Sequence, residues 1–166
     1  MSQRNRILIG MVILLVIVGV ILGVDYLRYQ SASTSQETAN SIPAGSIPIH
    51  LNGELVASFV PADLEHLELT SFVEAEEGKT EEGWLLRDVM LLHVSEGNLQ
   101  PSTIIIVSSS SREKSAQLTW DEVRNLDNMV LFDLAGRGTL KLVSRLEKLD
   151  TRDEWVQDVD KIEVGP

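Results

Sequence analysis

Ser108, Ser109, Ser110, Ser111 and Arg112 form the run in this chain best suited to hold a ligand. They follow directly on the apolar stretch Thr103 to Val107. Hydroxyls and a guanidinium at a strand end offer donors to an anion or to a ligand hydroxyl. These five are the candidate cofactor-binding residues. A second set is acidic: Glu74, Glu76, Glu77, Glu81 and Glu82. Such carboxylates suit Ca²⁺ when a turn gathers them, but the D-x-D-x-D-G loop is missing and a solvated turn is expected. His50, His66 and His93 stand at no metal-ligand spacing, so no metal site is expected. Cysteine is absent, which excludes a disulfide, a thiolate ligand and a cysteine nucleophile. No G-x-S-x-G, Walker loop or G-x-G-x-x-G occurs, and Gly136-Arg137-Gly138 fits a hairpin turn. No catalytic residue is assigned.

What positions these residues begins with residues 7 to 24, which carry no charge and no strongly polar side chain. As a helix they span roughly 27 Å, close to the hydrocarbon core of a bilayer. With Tyr26 and Leu27 at the interface, residues 7–27 are read as a single transmembrane anchor in the lipid bilayer. A cleaved signal peptide is the rival reading, but its apolar run is shorter. Arg4 and Arg6 place residues 1–6 in the cytoplasm and the rest of the chain outside it. Gly19 and Gly23 make a G-x-x-x-G face through which a homodimer or a membrane-complex partner could pack.

Residues 28–46 are rich in Ser, Thr, Ala, Asn and Gln and read as a flexible linker. Residues 47–166 read as one extracytoplasmic domain. From Ile47 onward there are 11 Lys and Arg against 23 Asp and Glu. That balance opposes nucleic acid as a partner, because phosphates need positive contacts.

Within the domain, Ile47 to Val60 reads as a hairpin about Asn52-Gly53, with Pro48 marking an edge strand. Pro61 to Leu67 reads as a short helix, Glu68 to Glu74 as a strand and Glu76 to Gly83 as a polar turn. Trp84 to His93 reads as a helix presenting Leu85, Val89 and Leu92, stopped by Gly97. Thr103 to Val107 reads as a central strand with Ser108 to Ser111 as its loop. Thr119 and Glu122 make a capping box for a helix to about Leu126. Met129 to Ala135 and Thr139 to Ser144 read as strands about the Gly136 turn. Arg145 to Asp153 is a charged connection, and Trp155 to Val164 closes the chain with Val156, Val159, Ile162 and Val164 as its apolar points. Trp84, Trp120 and Trp155 are expected in the core. The pattern is an α+β domain, mainly β.

The order of these motifs resembles the molybdopterin-binding oxidoreductase domain of the sulfite-oxidase type, over about Ile47 to Val164. The resemblance is carried by Ile49 to Gly53 and Pro61 to Leu67, by Gly83-Trp84-Leu85-Leu86-Arg87-Asp88-Val89, and by Thr103 to Val123. Gly138 to Val143, with Thr139 where proline is usual, and the closing Trp155 to Val164 complete it. It implies a sulfite-oxidase-like fold. It also implies a molybdenum-ligating cysteine within about Ser71 to Gly83, and this chain has none. The expectation is therefore a non-catalytic, membrane-anchored binding or accessory domain with no cofactor. The alternatives are a molybdopterin-dependent oxidoreductase, its pocket lined by Ser108 to Ser111 and Arg112, and a structural subunit of a membrane redox complex.

Overall fold

The computed structural model describes residues 43–166. The expected tail, anchor and Gly19/Gly23 face, and the linker up to residue 42, lie outside them. Among the described residues no helix is long and apolar enough to cross a membrane.

The domain is α+β and mainly β, as expected, with nine strands in two sheets. β1 (Ile47–Leu51) and β2 (Glu54–Phe59) form the first hairpin. Its turn works because Asn52 and Gly53 both take positive φ, 53° and 86°, the conformation a two-residue hairpin needs. β3 (Leu69–Val73) and β4 (Thr80–Leu85) form the second hairpin. Helix α1 (Leu86–His93) follows at once, then β5 (Ile104–Ser109), β6 (Lys114–Thr119) and the short helix α2 (Trp120–Arg124). β7 (Leu131–Leu134), β8 (Leu140–Val143) and β9 (Lys161–Gly165) complete the chain.

The larger sheet has the order β2-β1-β9-β5-β6, and the smaller has β3-β4-β7-β8. The main core collects Ile49, Phe59, Ile105, Val107, Leu118 and Ile162 from the larger sheet with Phe132, Leu140 and Leu142 from the smaller. Alternation along β5 explains its share: Ile105, Val107 and Ser109 are buried, while Ile104, Ile106 and Ser108 are half-buried. The opposite face of the smaller sheet buries Phe72, Leu85, Leu131 and Val143 beneath Trp155. All three tryptophans are buried, as expected.

Several local expectations change. Pro48 is not on an edge strand, since β1 lies between β2 and β9. It is tolerated because the ladder to β9 starts one residue later, at Ile49, so no β9 bond needs its missing N–H. Pro61–Leu64 is a single 3-10 turn, closed by the Val60 N–H donating to the Asp63 carboxylate at 2.9 Å. Gly83, Trp84 and Leu85 belong to β4, not to a turn or helix, because they pair with β7. The buried face of α1 is then Leu86, Val89 and Met90, and Leu92 is 45% exposed. The helix ends at His93, four residues before Gly97, which sits in a 3-10 turn. Ser108 and Ser109 lie within β5, so the loop that follows is shorter than expected. The C-terminal strand begins only at Lys161, although Val156, Val159, Ile162 and Val164 are all buried.

The capping box at α2 forms as read. Glu122 N–H donates to Thr119 Oγ1 at 3.2 Å, and Thr119 N–H donates to the Glu122 carboxylate at 2.7 Å. Burial alone raises the Glu122 carboxyl, but the Lys148 ammonium and the Thr119 N–H outweigh that and hold it below the usual range. Thr119→Ala is expected to lower stability by about 1 kcal/mol, as for other N-cap losses. Urea denaturation would show this as a lower midpoint at unchanged slope, with Thr119→Ser close to wild type.

Candidate basic cleft

The turn between β5 and β6 faces the segment that precedes β9, and a cleft of about 230 Å³ opens between them. Arg112, Lys114, Arg152, Asp153, Trp155 and Gln157 line it. Three cations converge here in a domain that carries twice as many acidic as basic residues.

Each wall is built by the local chain. Asp160 accepts the Ser110 N–H at 2.7 Å, and Asp160 N–H donates to the Ser108 carbonyl at 3.0 Å, which pins the turn to the start of β9. Asp158 lies two residues earlier, in a left-handed conformation with φ 55°. It accepts Thr139 Oγ1 at 2.8 Å and Arg112 Nε at 2.7 Å, with Arg137 Nη2 at 3.2 Å. The Thr139 hydroxyl and the Arg112 guanidinium, helped by Arg137, hold its carboxyl below the usual range against a small effect of burial. Arg112 is thus anchored through Nε. Lys114 donates to the backbone carbonyl of Asp153 and has no carboxylate partner among the described residues.

Arg152 joins the cleft to the acidic turn. Its Nη1 lies 3.1 Å from Glu77, and its own N–H donates to Glu76 at 3.3 Å. Its Nε is buried without a partner, a donor that a bound anion would satisfy. The guanidinium lies 5.8 Å from the Trp155 ring centroid, and Trp155 Nε1 donates to the Leu149 carbonyl at 3.0 Å. Lys141 Nζ stands 4.7 Å from the same ring. The ring is therefore held by two cations and one hydrogen bond, a favourable setting for its negative face.

The acidic set does not form a cation site. Glu74 is buried and accepts N–H groups from Glu76, Glu77 and Lys79 at 2.7, 2.8 and 3.2 Å. Burial raises its carboxyl, but the three N–H donors and nearby Arg152 prevail and hold it below the usual range. It closes the β3–β4 turn from inside. Glu81 points to Lys141 instead, at 2.6 Å. No group of three or more His, Asp or Glu among the described residues could hold a metal ion.

Of the five sequence candidates, the structure brings only Arg112 to the cleft. Ser108 Oγ donates to the Lys161 carbonyl, Ser109 is buried with its hydroxyl against Ser111, and Ser110 contributes its backbone to Asp160. Lys114, Arg152, Trp155 and Gln157 were not singled out from sequence as site residues. Lys114 carried a usable signal, since it stands two residues past Arg112 at the foot of a hairpin. Arg152 carried none, because forty residues separate it from Arg112 in the chain.

A molybdenum centre does not fit these residues. The segment where the resemblance implies the thiolate, about Ser71 to Gly83, forms β3, the Glu74 turn and most of β4, and it offers no sulfur donor. Its two buried carboxylates are already committed, Glu74 to backbone N–H groups and Glu81 to Lys141. The cleft supplies positive charge and hydrogen-bond donors, with no nucleophile–base pair among its lining residues. Such donors and positive charge are suited to an anionic group. Neither the family models nor the curated proteins compared with the chain match it.

Proposed function

We propose that this chain is a membrane-anchored, extracytoplasmic binding or accessory domain of sulfite-oxidase-like fold that does not itself carry out molybdenum chemistry. One observation carries the reading. Arg112, Lys114 and Arg152 converge on a cleft in an otherwise acidic domain, and Lys114 and the Arg152 Nε are left without an anionic partner. Arg112 is answered by Asp158 and the Arg152 Nη1 by Glu77, so a bound anionic group would meet the Lys114 ammonium and the Arg152 Nε. The absence of any cysteine supports the non-catalytic half of the reading, since the resemblance implies a thiolate ligand. The apolar run at residues 7–27 supports the tether, and Arg4 and Arg6 support the orientation.

The test is the molybdenum and pterin content of the full-length protein, extracted from its own host in mild detergent. The expected result is a folded protein without stoichiometric molybdenum or pterin. Stoichiometric molybdenum would overturn the proposal and establish the oxidoreductase alternative.

A further inference from the structure

The strand order leaves β6 at an edge of the larger sheet. Which of its backbone groups face outward follows from one hydrogen bond. Trp120 N–H donates to the Thr103 carbonyl at 2.8 Å. In the β5–β6 register this makes 103/120 a bonded pair, and alternation then bonds Ile105 with Leu118, Val107 with Ala116 and Ser109 with Lys114. Ser115 and Gln117 fall on the other phase. Their N–H and C=O groups turn away from β5, and β6 pairs with no second strand among the described residues.

Space lies beside that edge. A groove of about 320 Å³ has Ser115 and Gln117 on one wall and Lys148, Leu149 and Glu154 on the other. It runs into the basic cleft, because Lys114 and Asp153 line both. The open edge and the Lys114 ammonium, which has no carboxylate partner among the described residues, thus form one continuous surface.

We propose that this surface receives an extended, acidic segment of a partner protein, which adds as a strand to β6 and sets a carboxylate against Arg112, Lys114 and Arg152. Strand addition uses the row of backbone groups that an open edge presents. Charge decides the register and the chemistry of the partner. The rest of the domain repels an acidic segment, whereas Lys114 stands at the end of the edge without a carboxylate. The proposal rests on the reading of the chain as a binding domain and names what it binds.

The test uses the full-length protein in detergent and a fluorescein-labelled peptide of alternating Thr and Val that ends in two Glu residues. Binding is read by anisotropy at low and moderate salt. The expected result is saturable binding that weakens as salt rises. Lys114→Gln weakens it at least about tenfold and flattens the salt dependence. Gln117→Pro weakens it by a similar factor, and because the Gln117 N–H points outward, the variant loses no bond of the β5–β6 ladder. The same peptide N-methylated at alternate residues fails to bind the wild-type protein, a result that does not depend on any variant folding. Equal affinity for the N-methylated peptide, or no binding of the parent peptide, overturns the proposal. Inorganic phosphate that binds the cleft while the peptide does not would also overturn it, yet would leave the binding-domain reading in place. Only the molybdenum measurement bears on that reading.

Discussion

Gly83→Ala is expected to unfold the domain or to lower its stability by at least about 3 kcal/mol. Gly83 sits in the middle of β4, paired with Asp133 of β7. A Cβ built there overlaps the carbonyl oxygen of Phe132, and it lies 2.6 Å from the Phe132 carbonyl carbon and 2.9 Å from the Asp133 Cα. All three are backbone atoms, so no rotamer change relieves the overlap. Either β4 or β7 must move, and both are committed. Trp84 and Phe132, the neighbouring pair, are buried in the main core, and Leu85 and Leu131 are buried in the second cluster. Shifting the ladder therefore disturbs packing on both faces of the smaller sheet. Total stability of a domain this size is about 5–15 kcal/mol, so the loss is a large fraction of it. Gly136→Ala is the control. Nothing lies within 4 Å of its Cβ position, and it is not among the positive-φ glycines. Its effect should stay within about 0.5 kcal/mol. Urea midpoints of the two variants decide the matter, and a Gly83→Ala protein as stable as Gly136→Ala would refute the close approach of β4 and β7.

Lys141→Ala is expected to cost about 3 kcal/mol near neutral pH and less in mild acid. Lys141 Nζ lies 2.6 Å from Glu81 and 2.9 Å from Asp133. The Lys141 and Glu81 side chains are only 17% and 6% exposed. Removing the ammonium leaves two carboxylates facing each other with little water, and it also removes the cation over Trp155. The pH dependence follows from the direction of the shifts. Burial pushes the Glu81 carboxyl above the usual range, Asp133 pushes the same way, and Lys141 opposes both. In Lys141→Ala only the upward influences remain. A carboxyl raised in the folded state contributes stability at pH below its unfolded value, and that contribution is lost as pH rises through the folded value. The gap between variant and wild type should therefore narrow as pH falls from about 7.5 towards about 5.5. Burial lowers the Lys141 ammonium, but the bonds to Glu81 and Asp133 prevail and raise it. Its own titration thus lies above this window. A gap that is constant or widens on acidification would show that Glu81 is not the group taking up the proton.

Neither of these residues stood out in the sequence for the role it plays. Gly83 read as part of a polar turn, since it follows Glu81 and Glu82 and nothing nearby forbids that. Its constraint comes from Phe132, almost fifty residues on. Lys141 fell within the strand read at Thr139 to Ser144 and was given no role of its own. It is drawn inward because the smaller sheet carries a second apolar layer beneath Trp155, a layer supplied by β3, β4, β7, β8 and the segment before β9. Pro48 misled in the same way, as a proline marks an edge only when its missing N–H would face a partner.

The basic cleft was legible only at Arg112. Hydroxyl-rich Ser108 to Ser111 drew attention to the right turn, but β5 runs on through Ser109 and takes two of the serines into the sheet. The charges that complete the cleft come from β6 and from the segment before β9, which meet only when β9 inserts between β1 and β5.

By itself the sequence determined the features that depend on residues within about four positions of one another. These are the positive-φ turn at Asn52-Gly53, the Thr119–Glu122 capping box, the turn at Gly136 to Gly138, and the β-rich character set by short alternating runs. Tertiary structure alone decided which strands are edges, which glycine is irreplaceable, which lysine is half-buried between two carboxylates, and where the basic residues gather. The physical reason is range. Turn and cap energetics are settled by neighbouring backbone and side-chain groups, whereas strand order is settled by which distant apolar faces can be buried together, and in this chain that choice places Lys114 and Arg152 in one cleft at the open edge of β6.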